Sequence, residues 1–195
     1  MLAPGLHTTV QDLGRIGWQM QGVPVSGALD GLALRLGNAL VGNWSEMAAI
    51  EILYSGPTLE VAADLVRVAV AGIGAGLLIE SQGRRALPAW QSIALPRGEV
   101  FRLAPGPQSV CAYLAVEGGI AVPSVLGSAS TLARAGLGGF NGRALREGDL
   151  VPLAIGRVPP RAELRLPHPP AADSRPIRIV LGPQQEYFTD EAMVV

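Results

Sequence analysis

The sequence predicts a mainly β protein, built as a barrel or a sandwich. Short apolar runs recur along most of the chain and end at turn signals, which favours sheets over alternating βα units. The 25 glycines and 16 prolines among 195 residues follow no collagen-like period and supply many turns. Because 49% of the residues are hydrophobic and 16% are charged, the chain can bury a well-filled core.

One helix is predicted near residue 30, ahead of most strands. Asp30 can act as its N-cap, and Gly42 provides a stop. Gly31 and Gly37 lower the intrinsic stability of this helix, so we expect tertiary packing to hold it. Its expected apolar stripe consists of Leu32, Leu36, Ala39 and Leu40.

The strands are predicted from the apolar runs that follow this helix. These runs cover residues 50–53, 65–70, 77–80, 92–95, 100–103, 110–117 and 150–153. The glycines at 72, 74 and 76 imitate a dinucleotide-binding fingerprint, but the next turn follows too soon for the helix that such a site needs. We therefore expect a glycine-rich hairpin at 72–76.

A stretch rich in proline and arginine predicts a domain boundary. We interpret residues 1–157 as a domain built as a β-barrel or a sandwich, and residues 158–176 as a linker. Beyond the linker, residues 177–181 predict a strand and residues 184–195 a helix-like segment. A segment this short cannot bury its own core, so 177–195 either packs on the first domain or begins a second one.

Composition excludes several classes of function. The formal net charge of −1 argues against binding to nucleic acid or to a membrane surface. All 15 basic residues are arginine, which excludes a lysine Schiff base or a phosphate-loop lysine within this chain. The single cysteine, Cys111, excludes an internal disulfide and a cysteine-built zinc site, and its apolar surroundings predict a buried, inert thiol.

Neither a signal peptide nor a membrane span is predicted. The first residues lack a basic segment followed by an apolar one, and the longest uncharged apolar run, 68–79, is interrupted by three glycines. We therefore expect a cytoplasmic protein. His168 lies among prolines and is expected to be solvated, whereas His7 precedes a pair of threonines and is a weak metal candidate without a second ligand.

The first thirty residues have the composition of a loop-built site. Residues 8–15 and 22–30 are rich in glycine and small polar residues, yet they show neither linker repeats nor apolar periodicity. Asp12 can orient Arg15, which can bind a carboxylate, or both can satisfy turn backbone groups. Ser26 and Asp30 carry the same ambiguity, and Gln11 completes the candidate set.

A second block, residues 113–149, is equally dense in glycine. Frequent glycines allow backbone amides to approach a ligand closely. Ser128, Ser130 and Thr131 offer hydroxyl groups, and Arg134 offers a cation. No histidine or lysine accompanies these serines, so a Ser-His-Asp triad is unsupported, and tight turns between barrel strands are the structural alternative.

Taken together, residues 8–15, 22–30, 38–43 and 113–149 resemble the biotin-dependent carboxyltransferase-like family. This family, also called allophanate hydrolase subunit 2, includes the C-type subunit of 5-oxoprolinase and the antagonist of a sporulation kinase inhibitor. The resemblance implies a cyclophilin-like β-barrel with one or two short helices at 1–157. Because the barrel usually occurs twice per chain, it also implies that 177–195 begin a truncated second cyclophilin-like domain, so that this is the N-terminal part of a tandem-barrel protein.

The resemblance also implies a function within a larger assembly. It indicates the C-type component of an ATP-dependent 5-oxoprolinase, inactive alone, whose partners are a related B-type protein and a third, A-type protein of the same complex. The assembled complex would bind ATP and open the lactam 5-oxoproline to glutamate. One alternative is a carboxyltransferase that uses carboxybiotin on urea or a similar amide, and another is a regulatory protein that binds a kinase inhibitor.

The residues expected to line the substrate region come from both glycine-rich blocks. We expect Arg15 or Arg134 to hold a carboxylate or a phosphate of a small amide or lactam substrate. No catalytic residue is assigned. The full set of expected substrate-binding residues is Gln11, Asp12, Arg15, Ser26, Asp30, Ser128, Ser130 and Arg134.

Overall fold

The computed structural model describes residues 1–80, 84–104, 106, 110–171, 175–176 and 178–193. Its strands are β1 His7–Gln11, β2 Ala49–Leu53, β3 Thr58–Glu60, β4 Leu65–Ala71, β5 Gly76–Ile79, β6 Arg85–Pro88, β7 Gln91–Pro96, β8 Val100–Ala104 and β9 Cys111–Val116. The α-helices are α1 Gly31–Leu40 and α2 Asp190–Met193, and short 3₁₀ helices span Gln19–Gln21, Ala133–Ala135 and Gln185–Tyr187.

These strands form two antiparallel sheets, which confirms the prediction of a mainly β protein. The strand order is β1-β2-β9-β4-β7 in one sheet and β3-β8-β5-β6 in the other. Alternate side chains of each strand point between the sheets, so the main core lies there. Ile50 and Ile52 of β2 share this core with Phe101 and Leu103 of β8.

Helix α1 covers the outer face of the five-stranded sheet. A Cβ atom on Gly37 would lie 3.2 Å from the Cβ of Ala71 and 3.5 Å from that of Ala115, so small residues on both sides permit close packing. The predicted stripe is correct at Leu36 and Leu40, which pack against the core, and wrong at Leu32 and Ala39, which are exposed. The helix buries Ala33, Leu34, Gly37, Asn38 and Leu40.

Two predicted strands are wrong. Residues 150–153 form only one isolated bridge, from Leu153 to Ile120, because Pro152 has no N–H to donate and Leu150 is 75% exposed. Residues 178–181 have no strand partner among the described residues, and Val180 is 97% exposed. Residue 177 of that prediction, and residues 194–195 of the helix-like segment, lie outside the described residues. The helical character predicted after residue 184 is confirmed at Gln185–Tyr187 and in α2.

The glycine-rich stretch at 72–76 is a link between the sheets. It joins β4 to β5, and these two strands belong to different sheets, so the predicted hairpin is wrong. Strand β5 begins directly at Gly76, where a dinucleotide site would need a helix. The first of the two glycine-rich blocks also differs from the expected loop, since its residues 8–11 belong to strand β1.

The first part of the predicted linker packs against the five-stranded sheet. Leu164 and Ser92 exchange two hydrogen bonds of 2.8 Å, and Val158 is buried. The buried Arg67 donates to the carboxylate of Glu117 and, at 3.3 Å, to the carbonyl of Arg161. Residues 158–166 are therefore held to the barrel, while the domain boundaries at 157 and 176 stay a prediction.

Candidate functional site

Asp12 connects the two glycine-rich blocks. It directly follows β1, and its Oδ1 accepts hydrogen bonds from Gly14 N at 2.7 Å, from Ser128 Oγ at 2.6 Å and from Ser130 Oγ. Its Oδ2 accepts from Ala129 N at 2.6 Å, and its own N–H donates to Ser130 Oγ at 2.9 Å. One side chain thus holds a loop that lies more than a hundred residues further along the chain.

These contacts keep the carboxyl group of Asp12 ionised. Burial by itself would raise the pKa of Asp12, since it disfavours the charged form. The hydrogen bonds from Ser128, Ser130, Gly14 and Ala129 outweigh that effect and hold the pKa below its usual value of 3.8. Asp12 therefore satisfies turn backbone and hydroxyl groups, the structural alternative that the sequence left open.

Gln11 and Ser26 converge on the carbonyl oxygen of Thr131. Gln11 Nε2 donates to this oxygen at 3.2 Å and to Thr9 Oγ1 at 3.0 Å, and Ser26 Oγ donates to it at 2.9 Å. Thr131 Oγ1 in turn donates to Val10 O at 2.9 Å. Residues 128–131 are thus bound along the end of β1 and against the loop at residue 26.

Arg15 is enclosed by the same loops. Its side chain is fully buried, and Nη2 donates to the carbonyl oxygen of Ser130. Gly138, at φ +64°, lets the backbone pass so closely that a Cβ there would lie 2.8 Å from Nη2 of Arg15. The Nε and Nη1 atoms of Arg15 have no partner among the described residues. This enclosure separates Arg15 from the surface of the protein.

Arg134 lies at the exposed tip of the turn that directly follows Thr131. It belongs to the 3₁₀ helix Ala133–Ala135, between Leu132 and Leu137, which pair with each other. Its side chain is exposed and has no hydrogen bond or ion pair within the described part of the chain. Of the two arginines expected to hold an anion, Arg134 is the one that an external ligand can reach directly.

Asp30 lies apart from this network, at the start of α1. Its Oδ1 accepts from Leu32 N at 3.1 Å and from Ala33 N at 3.0 Å, so it is the predicted N-cap. Its backbone N–H donates to the hydroxyl of Tyr113 at 2.8 Å. The cap is thereby tied to strand β9 of the sheet beneath it.

Glu51 is a buried carboxylate of strand β2 that is not among the residues predicted from the sequence. Its Oε2 accepts from Tyr113 Oη at 2.6 Å and from Leu29 N at 2.8 Å, and only 6% of the residue is exposed. The sequence did contain a signal for Glu51, namely a carboxylate in the middle of the otherwise apolar strand β2. Charged side chains are rarely buried without partners, so such a residue is a candidate for a specific role.

Cys111 lies beside this carboxylate, in surroundings that disfavour its nucleophilic thiolate form. Its thiol is half-buried, donates to Tyr113 Oη at 3.4 Å, and has its pKa raised to about 11 by burial. Burial likewise raises the pKa of Tyr113 well above its usual range. The expected inert thiol fits this environment, although its burial is only partial.

Two further features limit the chemistry of the described residues. His7 and His168 are both exposed, and the described part of the chain contains no group of three or more His, Cys, Asp or Glu placed to hold a metal ion. Within the same residues, no helix is long and apolar enough to cross a membrane. The candidate site consists of hydroxyl, amide, carboxylate and guanidinium groups, most of them buried.

Comparison with known proteins shows which family shares this structure. A family model described as carboxyltransferase domain, subdomain A and B, matches residues 21–194. The C-type subunit of 5-oxoprolinase from Escherichia coli (strain K12) is 38% identical over 155 residues, covering 78% of this chain and 48% of that protein. Urea amidolyase of Lachancea kluyveri is 41% identical over 170 residues, covering 86% of this chain and 9% of that protein.

The solved structures lead to the same family. The crystal structure of Kluyveromyces lactis urea carboxylase matches with a TM-score of 0.73 and 38% identity, covering 78% of this chain and 13% of that one. The chain spans about half the length of the 5-oxoprolinase relative and under a tenth of the urea amidolyase.

Proposed function

Since the chain belongs to the carboxyltransferase domain family, subdomain A and B, we propose that it acts as the C-type component of an ATP-dependent 5-oxoprolinase. The observation that carries this proposal is its 38% identity over 155 residues to the 5-oxoprolinase component of Escherichia coli. The proposed reaction opens the lactam ring of 5-oxoproline to glutamate, and the proposed location is the cytoplasm.

In this proposal the residues 128–134 form one wall of the substrate site. Asp12 holds the Ser128–Ser130 loop through three accepted hydrogen bonds, so the position of the loop is set before a ligand arrives. Arg134 projects from the tip of the same segment and is proposed to bind the carboxylate of 5-oxoproline, because a guanidinium matches a carboxylate with two parallel hydrogen bonds. Gln11 and Ser26 hold this wall through hydrogen bonds to the carbonyl oxygen of Thr131, and the enclosed Arg15 holds it through the carbonyl oxygen of Ser130.

The assembled complex, rather than this chain, is proposed to hold ATP. The chain contains no lysine, and its glycine-rich stretch at 72–76 leads into strand β5 instead of a helix N-terminus. This stretch therefore does not fit a phosphate cradle, and no step of the reaction is assigned to ATP on this chain. A related B-type protein and a third, A-type protein of the 5-oxoprolinase complex are the proposed partners.

Reconstitution with these partners tests the proposal. We expect ATP hydrolysis that depends on 5-oxoproline, and we expect Arg134→Ala to raise the KM for 5-oxoproline roughly 10- to 100-fold with a smaller change in kcat, the loss of one charged hydrogen-bonded contact. Arg102→Ala, an exposed arginine on the other sheet, is the matched control and should leave KM unchanged. An unchanged KM in Arg134→Ala would remove the proposed role of that residue.

Carboxyl transfer from carboxybiotin to urea or a similar amide is the second candidate. The 41% identity over 170 residues to a urea amidolyase favours it. With no lysine in the chain, the biotin would be carried by another protein or domain. ATP hydrolysis that requires bicarbonate, a biotinylated carrier and urea, and that ignores 5-oxoproline, would select this candidate.

A further inference from the structure

We propose that Glu51 is a ligand-binding residue, whose Oε1 accepts a hydrogen bond from the N–H group of an amide, lactam or urea. The assignment of 5-oxoproline as that ligand rests on the proposed function. The location of Glu51 supports a role beyond folding. It occupies the centre of β2, next to Thr9 of β1 and Tyr113 of β9 in the strand register, on the face covered by α1.

The carboxylate of Glu51 is buried without a counter-ion. Its residue is 6% exposed, and no arginine, histidine or N-terminal nitrogen among the described residues lies within 4.0 Å of it. Burying a carboxylate is costly unless its oxygens receive hydrogen bonds. Those bonds come from neutral donors only, the Tyr113 hydroxyl and the Leu29 N–H.

Both of these donors contact the same oxygen. Tyr113 Oη lies 2.6 Å and Leu29 N 2.8 Å from Oε2, and Oε1 receives no hydrogen bond from any described residue. An ionised carboxylate offers about four lone-pair sites. One oxygen of Glu51 is thus fixed in place while the other retains its full capacity to accept, which is the arrangement expected of a group that orients toward a ligand.

A second acceptor oxygen lies on the same face of the sheet. Gln11 is two residues beyond Thr9 in β1, and Thr9 is opposite Glu51, so Gln11 and Glu51 are diagonal neighbours. Gln11 Nε2 donates to Thr131 O, which can only accept, so the amide orientation is determined. Its Oε1 has no partner among the described residues. Two acceptors without donors favour a ligand that brings N–H groups.

The Ser26–Asp30 loop connects this pair to the proposed substrate wall. Ser26 donates to Thr131 O at its start, and Leu29 N donates to Glu51 at its end. A ligand bound between this pair and the substrate wall would meet the acceptor oxygens of Glu51 and Gln11 on one side. The same N–H chemistry is present in a lactam and in urea, the substrates of the two candidate functions.

Glu51→Gln inverts the polarity of the ligand-facing atom. Because Tyr113 and Leu29 both donate to Oε2, the single amide oxygen of glutamine must occupy that position, which places an NH₂ group where Oε1 was. The wild-type complex should bind 5-oxoproline roughly 10- to 100-fold more tightly than the lactone in which a ring oxygen replaces the N–H. In the Glu51→Gln complex this ratio should fall to about one or below, since the new donor favours the lactone.

Calorimetric titration of the assembled complex measures this ratio directly. Glu60→Gln, an exposed carboxylate of β3, is the matched control and should retain the wild-type ratio. If thermal denaturation shows that Glu51→Gln is not folded, Glu51→Asp is used for the same test. Aspartate withdraws the carboxylate by one methylene. A wild-type ratio in the folded variant would overturn the assignment.

Failure of the proposed function gives a different result. A complex that neither binds 5-oxoproline nor hydrolyses ATP in its presence refutes the 5-oxoprolinase proposal, and urea then becomes the probe. Weaker urea binding in Glu51→Gln would support the role of Glu51 under the second candidate function. Urea binding that is equal in both proteins would overturn it.

Discussion

Replacing Asp12 with asparagine tests how strongly one side chain joins the two glycine-rich blocks. In the wild type, Oδ1 accepts from Gly14 N at 2.7 Å and from the hydroxyls of Ser128 and Ser130, and Oδ2 accepts from Ala129 N at 2.6 Å. Asparagine keeps one oxygen for the first three donors. Its NH₂ group then faces the N–H of Ala129, so the hydrogen bond from Ala129 is lost. The other three hydrogen bonds are made to a neutral oxygen instead of a charged one.

The expected cost follows from these four contacts. A hydrogen bond to a charged group contributes about 1.5–3 kcal/mol, against about 0.5–1.5 kcal/mol for a neutral one. Losing one such bond costs about 1.5 kcal/mol and weakening the other three costs about 0.5 kcal/mol each, which gives about 3 kcal/mol; these low values are used because Asp12 is only half-buried. Against a typical domain stability of about 5–15 kcal/mol, that loss is large.

Urea denaturation at pH 7 measures the free energy of unfolding of both proteins. The folded-state pKa of Asp12 is depressed, so its stabilising contribution is complete above the unfolded value of 3.8 and is lost as the pH falls through the folded value. The difference between wild type and Asp12→Asn should therefore shrink below pH 3.8. Asp64→Asn, which removes an exposed carboxylate paired with Arg97, is the control and should change little.

Two results would refute this reasoning. A loss of less than about 1 kcal/mol at pH 7 would mean that the loop is held by other contacts. A difference that stays constant from pH 7 to pH 3 would mean that the charge of Asp12 does not matter.

Two further predictions test the packing and the thiol chemistry. Gly56→Ala should destabilise the protein by about 3 kcal/mol or more, because its Cβ would overlap the carbonyl oxygen of Leu103. Gly156→Ala, whose Cβ meets no atom within 4 Å, should be close to neutral in the same thermal denaturation, and equal effects would contradict the packing. For Cys111, burial raises the pKa from 9.0 to about 11, so iodoacetamide at pH 8 should alkylate the folded protein about 100-fold more slowly than the urea-unfolded protein. Equal rates of alkylation would show that the thiol is not shielded.

The secondary structure was largely predictable where the signal is local. Apolar runs bounded by turn residues located β2, β4, β5, β7, β8 and β9, and Asp30 marked the start of α1. The prediction was wrong at 150–153, where the same apolar character is paired only through one isolated bridge to Ile120. A strand depends on a partner elsewhere in the chain, and local composition does not specify that partner.

The phase of α1 shows a second limit. The large apolar side chain of Leu32 suggested that it belongs to the buried face, but the helix leaves it exposed and turns Gly37 toward Ala71 and Ala115. The sheet surface opposite is built from small residues, so the helix packs closest through its own small residue. Which face of the helix is buried depends on the shapes of the helix and of the sheet, and these shapes meet only in the folded structure.

The sequence by itself determined the mainly β class, the capped helix and the residue types of the candidate site. It also excluded lysine chemistry, since composition needs no structure. Only the tertiary structure decided which residues meet. It joined Asp12 to Ser130 across the chain, enclosed Arg15 while exposing Arg134, and placed Glu51 beneath the start of α1. Hydrogen-bond partners and burial arise from contacts between distant segments, and the spacing of residues along the chain carries no record of them.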